Sequence, residues 1–227
     1  MHGAGGSSAF WQLVRPAFPD GLFLDLPVPE AGSVSLEHPT PSTLGYADWV
    51  SGEVEAQNWD DVRLVGHSMG GAIAQLIGMR RPPWLCGLVL SSTAAQLRMP
   101  AEFIHLLETD YPAAVDLFIE MAFAQPPGRY RREGVRRQML RVPQTVSLAD
   151  YRACDRFDRR AALRAGALRV PTLVICGEKD VIVPPADSLA LADGISGAVF
   201  RTIPAAGHMA PVEQAEAWAD AVLSFEF

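Results

Sequence analysis

Short runs of apolar residues recur along the chain, and most are followed by a stretch with helical spacing. The runs are mostly continuous rather than alternating, which is typical of parallel strands covered on both faces. Strands that alternate with helices predict an α/β fold, with a mostly parallel central sheet flanked by helices. The predicted strands lie at 22–26 (LFLDL), 62–65, 88–90, 172–176 and 199–203, and the predicted helices at 45–59, 71–80 and 212–223.

One long segment, residues 95–165, departs from this alternation. It contains apolar residues at helical spacing, punctuated by prolines, and no strand pattern. Because predicted strands stand on both sides of it, we interpret it as an all-helical cap inserted into the sheet domain. The predicted organisation is a core of residues 1–94 and 166–227 and a cap of residues 95–165, with cap helices at 101–107, 112–123 and 131–140.

The composition argues against several classes of protein. A chain of 227 residues, 49% of them hydrophobic, can bury one sizeable core with an inserted cap. The formal net charge of −7 argues against a nucleic-acid partner. No apolar run approaches about 18 residues, so no membrane contact is expected. The N-terminus lacks the basic and apolar regions of a signal peptide, so the expected location is the cytoplasm. The three cysteines are far apart and predict neither a disulfide framework nor a zinc site.

The sequence GHSMG at 66–70 stands where a predicted strand ends and a predicted helix begins. A strand that turns directly into a helix forces strained dihedral angles on the residue at the apex, and the neighbours of that residue must be small. The turn presents the Ser68 hydroxyl at the carboxyl end of the sheet, above a helix N-terminus whose partial positive charge suits a developing anion. In this context the motif indicates a nucleophilic serine rather than a glycine-rich turn without chemistry.

A serine nucleophile needs a base and a carboxylate that orients the base. Of the five histidines, His208 follows the last predicted strand in a loop, from which its imidazole can reach over the sheet edge. Asp180 follows the strand at 172–176, so we expect it at the same edge as Ser68, with Glu178 as the rival acid. The sequence thus predicts Ser68 as nucleophile, His208 as base and Asp180 as the orienting acid.

The chain opens with a glycine-rich segment, HGAGGSS at 2–8. Free backbone N–H groups in such a loop can hold an oxyanion, although the segment alone could also be a flexible terminus. We predict the N–H groups of Ala4 and Met69 as the oxyanion donors. Most apolar cap residues are expected in the cap core and some along an acyl pocket, while His67 is also expected to hydrogen-bond locally. The predicted substrate-binding residues are His2, Gly3, His67, Phe103 and Phe118.

At four separated points the chain resembles the α/β-hydrolase family: HGAGGSS at 2–8, GHSMGG at 66–71, GEKDVIVPP at 177–185 and AAGHMAPVEQ at 205–214. The chain order Ser68, Asp180, His208 is also the order of that family. The resemblance covers nearly the whole chain, the helical cap included. It implies acyl transfer to water through an acyl-enzyme, with no metal or organic cofactor. The motifs are specific for the superfamily but do not identify a substrate.

The start of the chain departs from the family pattern. In the family a strand immediately precedes the HG loop and two more strands come earlier, whereas this sequence begins at Met1. The N-terminal strands of the usual fold are therefore expected to be missing. Either an upstream segment is lost or misassigned, which leaves the oxyanion loop around Ala4 poorly anchored, or the sheet is a minimal version that closes up.

The predicted function is hydrolysis of a carboxylic ester with a small or medium acyl group. A thioesterase, a lactonase and a C–C bond hydrolase stay open as alternatives, because the same triad serves all of them. A non-catalytic ligand-binding protein on the same scaffold is the alternative of another class. Six cap arginines either form a solvated basic face or dock an acidic carrier protein, namely Arg129, Arg131, Arg132, Arg136, Arg137 and Arg141.

Overall fold

The computed structural model describes residues 1–28 and 42–227, and a parallel sheet lies at its centre. The strands of the described residues are β1 (Val62–His67), β2 (Leu85–Ser91), β3 (Thr172–Gly177) and β4 (Val199–Ile203). They lie side by side in the order β1-β2-β3-β4, and each neighbouring pair is parallel. This arrangement confirms the predicted α/β fold, and the four strands fit the expectation of a sheet without the usual N-terminal strands.

Helices cover the sheet and fill the segment between β2 and β3. The helix predicted at 45–59 begins earlier, at Thr43, because the Ser42 hydroxyl caps it by accepting the N–H of Gly45. The single helix predicted at 212–223 is two helices, separated at Gln214. The helices of the described residues are α1 (Thr43–Ala56), α2 (Met69–Arg80), α3 (Ala101–Thr109), α4 (Tyr111–Ala122), α5 (Arg129–Met139), α6 (Gln144–Asp155), α7 (Arg160–Arg164), α8 (Pro185–Asp193), α9 (Ala210–Glu213) and α10 (Ala215–Leu223). None of these helices has the length and hydropathy that a membrane crossing requires.

Alternate side chains of the central strands face two separate apolar layers. In β2, Leu88 and Leu90 pack into a layer that also holds residues of α1, α2 and α8. Val89, between them, packs into a second layer with Trp11 and with Trp218 of α10. Both faces of the strand are therefore buried, which is the physical reason for its continuous hydrophobic run.

The strand predicted at 22–26 is not formed, and that prediction is wrong. The backbone N–H of Leu26 donates to Nε2 of His2 over 3.0 Å instead of joining a ladder. The Asp25 carboxylate accepts both the N–H and the hydroxyl of Ser8. The apolar run faces β1 across a groove of about 640 Å³. The N-terminal loop thus binds the N–H of Leu26 and the carboxylate of Asp25, and Phe23 and Leu24 pack against the core without extending the sheet.

The segment between β2 and β3 contains only helices among its regular elements, α3 to α7. Two of these, α6 and α7, add to the three cap helices that the sequence predicts. An isolated antiparallel bridge between Gln96 and Asp158 joins the two ends of the segment. The chain thus leaves and re-enters the sheet domain at neighbouring points, while the division at residues 95 and 165 stays a prediction.

The carboxyl ends of the strands meet at one edge of the sheet. His67 at the end of β1 lies opposite Ser91 of β2, Ser91 lies opposite Ile175 of β3, and Gly177 at the end of β3 lies opposite Ile203 of β4. In a parallel sheet the loops that follow the strands share this edge, which is where open α/β sheets bind ligands. The loops after β1, β3 and β4 carry the three predicted catalytic residues.

Candidate active site

Ser68 forms the whole connection between β1 and α2. Its φ of 53° and ψ of −116° are costly for a residue with a side chain. A Cβ at Gly66 would lie 2.2 Å from the carbonyl oxygen of Gly70, and a Cβ at Gly70 would lie 2.6 Å from that of Met1. A side chain at either position would force this turn open. The two glycines therefore permit the strained backbone that presents the Ser68 hydroxyl.

The loop after β3 pairs Asp180 with His208. The Nδ1 atom of His208 lies 2.9 Å from Oδ2 of Asp180, and both side chains are almost fully buried. The other carboxylate oxygen of Asp180 accepts the N–H groups of Ile182 and Val183 over 2.9 and 2.8 Å. Glu178, the rival acid, is exposed and faces the N–H of Ala205. Asp180, and not Glu178, is therefore the partner of His208. It binds Nδ1 of the imidazole and does not bind Nε2.

His67 supports the backbone of His208. Its Nε2–H group donates to the carbonyl oxygen of His208 over 2.9 Å, and the two rings lie 4.9 Å apart at an angle of 61°. Burial lowers the pKa of His67 well below its usual value, and the neighbouring His208 adds to the shift. His67 is therefore neutral at physiological pH and holds the histidine loop, and its hydrogen-bond partner is distant in the sequence.

Glu213 of α9 fastens the histidine loop to the cap. Its carboxylate accepts the N–H of Gly207 over 2.6 Å and the N–H of Ala124 over 2.7 Å. A Cβ at Gly207 would lie 2.6 Å from the nitrogen of Ala124, so the two backbones approach closely. Glu213 could not be identified from the sequence, because Ala124 is 89 residues away and nothing in the sequence marks the N–H of Gly207 as its second partner. Its place one turn after His208 is the only local signal.

The N-terminal loop is anchored at several points, whereas only one of the two alternatives, a lost upstream segment, implies a poorly anchored loop. The terminal amino group of Met1 donates to the carbonyl of Val65 over 2.7 Å, and the Met1 carbonyl accepts the N–H of His67 over 3.1 Å. This is the bond pattern of a parallel strand. Burial lowers the pKa of the ammonium to about 5. The start of the loop is thus fixed directly to the strand that leads to Ser68.

A buried carboxylate from the cap holds the same loop. Asp150 of α6 accepts the N–H of Gly5 over 3.1 Å and the hydroxyl of Tyr46 over 2.8 Å. Gly5 has φ +61°, a conformation that favours glycine. Burial raises the pKa of Asp150 to about 6, against the two hydrogen bonds that favour its carboxylate. Asp150 thus ties the core helix α1, the cap and the predicted oxyanion loop together, and sequence reasoning missed it.

We expect Asp150→Asn to remove a pH-dependent cost to stability. The folded state raises the pKa of Asp150 from 3.8 to about 6, so ionisation of this carboxyl opposes folding progressively as the pH rises from about 4 to 7. At 1.36 kcal/mol per pKa unit, this cost is on the order of 3 kcal/mol. The free energy of unfolding of the variant, relative to wild type, should rise by roughly that amount over this range.

Urea unfolding of both proteins at pH 4, 5, 6 and 7 measures this difference. Asp193→Asn, at an exposed position of α8, is the control and should keep a constant difference from wild type. An Asp150→Asn difference that stays constant with pH would contradict the assignment.

Ser68 and His208 line one small cavity beneath the cap. Its volume is about 60 Å³, and its walls come from the N-terminal loop, the cap and the loop after β3. Gly3 and Ala4 line it from the N-terminal loop. Met69 does not line the cavity; it is the first residue of α2, directly after Ser68, where backbone N–H groups have no acceptor within the helix. Among residues 1–28 and 42–227, no cluster of His, Cys, Asp or Glu side chains could hold a metal ion.

The predicted substrate-binding residues divide into two groups. Gly3, His67 and Phe118 line the cavity. His2 does not line it, because its ring is buried and accepts the N–H of Leu26. Phe103 does not line it either and packs with its ring 5.1 Å from that of Tyr151. His2 and Phe103 thus support residues that form the site and do not face its interior.

Two of the six cap arginines form ion pairs with α4. Arg132 lies 3.4 Å from Asp116 and 3.3 Å from Glu120, and Arg136 lies 3.0 Å from Asp116. These side chains are partly exposed, so each pair contributes little to stability. The pairs nevertheless offset part of the basic charge on α5. Docking of an acidic carrier protein at this face stays a proposal.

The family model described as serine aminopeptidase, S33, matches residues 48–215, which include all three predicted catalytic residues. The 2-hydroxymuconate semialdehyde hydrolase of Pseudomonas sp. (strain CF600) is 28% identical over 244 residues, covering 99% of this chain and 84% of the relative. The strigolactone esterase D14 of Arabidopsis thaliana is 27% identical over 229 residues, covering 92% of this chain and 84% of the relative.

Among solved structures, that of a thermophilic esterase superposes with a TM-score of 0.84 at 33% sequence identity, over 99% of this chain and 86% of that one. The match thus extends over the sheet and the helical segment alike. The chain belongs to the serine aminopeptidase S33 family of the α/β-hydrolase superfamily.

Proposed function

We propose that this hydrolase cleaves a carboxylic ester of a small or medium acyl group through an acyl-enzyme. The observation that carries the proposal is the buried pair of Asp180 and His208, whose imidazole lines the same cavity as Ser68. A carboxylate at Nδ1 fixes the tautomer of the imidazole and leaves Nε2 to accept the serine proton. The strained turn at Ser68 supports the same role, because strain of this kind recurs at functional sites.

In the proposed first step, Oγ of Ser68 bonds to the ester carbonyl carbon while His208 takes the hydroxyl proton at Nε2. The oxyanion that forms lies against the backbone N–H groups of Ala4 and Met69, each contributing about 3 kcal/mol in comparable sites. The carbonyl then re-forms, the C–O bond to the alcohol breaks, and His208 donates its proton to the leaving alkoxide. Water, deprotonated by His208, releases the acid and restores Ser68.

The environment of His208 supports a base with a fixed orientation. Asp180 binds its Nδ1, the neutral His67 binds its carbonyl, and Glu213 binds the N–H of the residue before it. Because these three contacts fix the imidazole, it loses little conformational entropy when it accepts the serine proton. The carboxylate of Asp180 would also stabilise the imidazolium that forms during the reaction.

Three other reactions could use the same groups, namely hydrolysis of a thioester, of a lactone and of a C–C bond beside a carbonyl. The names of the similar proteins include an esterase and a semialdehyde hydrolase, so they support hydrolysis more strongly than a particular bond. A panel of one aryl ester, one aryl thioester, one lactone and one 1,3-diketone, assayed at equal concentration, separates the reactions. Ligand-induced stabilisation without product from any of them would favour a binding protein instead.

We expect short acyl esters to be the better substrates. The cavity of about 60 Å³ is less than half of the roughly 150 Å³ that accommodates benzene in a protein core. Over-filling packed space costs about 1–3 kcal/mol, so kcat/KM for p-nitrophenyl octanoate should fall at least about fivefold below that for the butyrate. Initial rates with the acetate, butyrate, hexanoate and octanoate measure this. An octanoate rate equal to or above the butyrate rate would contradict the proposed size limit.

A further inference from the structure

Tyr151 of α6 lines the cavity and is 5% exposed. Its hydroxyl is buried without a hydrogen-bond partner within the part of the chain that the structure describes. A hydroxyl removed from water without a partner loses its hydration, so native structures rarely leave one in this state. The nearby Tyr111 shows the usual arrangement, with its hydroxyl in contact with the carbonyls of Met139 and Val142 and with Ser147. The unpaired hydroxyl of Tyr151 therefore requires an explanation.

The Tyr151 ring contacts both the N-terminal loop and Phe118, which packs against His208. Its Cε2 atom lies 3.5 Å from the place that a Cβ on Gly5 would occupy, so the ring borders the N-terminal loop. The ring of Phe118 lies 6.2 Å from that of Tyr151 and 6.3 Å from that of His208. Phe118 thus packs against both rings, whereas the rings of Tyr151 and His208 do not form an aromatic pair with each other. Tyr151 therefore borders the part of the cavity next to the N-terminal loop, and its ring is separated from that of His208.

This position indicates which part of a substrate Tyr151 would meet. In the proposed reaction the leaving-group oxygen receives a proton from His208, so the alcohol portion lies on the His208 side. The carbonyl oxygen points at the N–H groups of Ala4 and Met69. By elimination, the acyl portion lies on the side of the cavity that the Tyr151 ring borders.

We propose that Tyr151 determines acyl specificity by donating a hydrogen bond to an oxygen in the acyl chain, so that short oxygenated acyl esters are preferred over alkyl ones. This inference rests on the proposed ester hydrolysis. The substrate class is an ester of an oxo-, hydroxy- or alkoxy-substituted short-chain acid.

The chemistry of the cavity supports a donor at this point. Burial raises the pKa of Tyr151 well above its usual value, so the phenol keeps its proton and donates. The neighbouring walls are apolar, including Leu97, Met99 and Met139. An unpaired donor next to apolar walls discriminates strongly between a substrate that carries an acceptor and an isosteric one without it.

The test compares matched acyl groups in wild type and Tyr151→Phe. p-Nitrophenyl methoxyacetate and butyrate differ by an ether oxygen in place of a methylene, and the 4-oxopentanoate and 4-methylpentanoate differ by a carbonyl oxygen in place of a methyl. The kcat/KM ratio within each pair is the readout, because intrinsic ester reactivity cancels when wild type is compared with the variant. We expect the oxygenated-to-alkyl ratio to fall about fivefold in Tyr151→Phe for at least one pair.

Tyr111→Phe is the control, since it removes a partnered hydroxyl outside the cavity lining. Its substrate ratios should equal those of wild type, whereas its thermal stability should fall. Ratios that are unchanged in Tyr151→Phe for both pairs would overturn the inference and leave ester hydrolysis standing. An equal fall in both variants would also overturn it, as an effect of packing. Wild-type protein that hydrolyses none of the four esters would overturn the proposed function and this inference with it.

Discussion

Replacing Ser68 by alanine should lower kcat for p-nitrophenyl butyrate by about 10⁴-fold or more. The variant keeps the fold, because Ser68 makes no side-chain cap bond to α2 and alanine is the smaller residue. It removes the only atom that forms a bond to the acyl carbon in the proposed mechanism. Steady-state kinetics of both proteins measure the loss. Mass spectrometry after treatment with a fluorophosphonate should show one added label on wild type and none on the variant.

Ser92→Ala is a matched control for this experiment. Ser92 follows β2 at the same edge of the sheet, also has a positive φ, and its buried hydroxyl has no hydrogen-bond partner among the described residues. It does not line the cavity. The control should keep the activity within about threefold and should take the label, since removing a hydroxyl that has no partner breaks no hydrogen bond of the site. A folded wild type that neither turns over nor takes the label would instead support a binding protein.

The sequence was sufficient for the features that depend on local physics. The central strands are continuous apolar runs because both of their faces are buried, so they could be read directly from the sequence. The turn at Ser68 was predictable because only glycine fits where Gly66 meets the carbonyl of Gly70. The pairing of Asp180 with His208 followed from the rule that loops after parallel strands share one edge.

Features that depend on distant partners could not be read in this way. Residues 22–26 have a strand-like composition, but the N–H of Leu26 binds the ring of His2 and no sheet edge pairs with the run. Asp150 looks like an ordinary helical aspartate until the fold brings it to Gly5 and Tyr46. The unpaired state of the Tyr151 hydroxyl is likewise a property of the packed cavity, since no local pattern marks it.

Asp180→Asn should lower kcat by about 10⁴-fold while leaving KM nearly unchanged. The amide oxygen can still accept the N–H groups of Ile182 and Val183, as Oδ1 of Asp180 does. That orientation turns the amide NH₂ group toward Nδ1 of His208. Nδ1 must then accept a hydrogen bond, so the imidazole proton moves to Nε2, the atom that should receive the serine proton. The variant therefore holds a base of the wrong tautomer in nearly correct geometry.

Glu178→Gln separates this explanation from a general loss of charge at the sheet edge. Both substitutions remove one negative charge from the same loop, but Glu178 is exposed and its carboxylate faces only the N–H of Ala205 at 3.4 Å. Its kcat should stay within about threefold of wild type, because solvent screens the interaction of an exposed charge with the site. Equal losses in the two variants would show that the charge of the loop matters and not the tautomer of His208. A loss confined to Asp180→Asn, with wild-type KM, identifies Asp180 as the residue that orients the base.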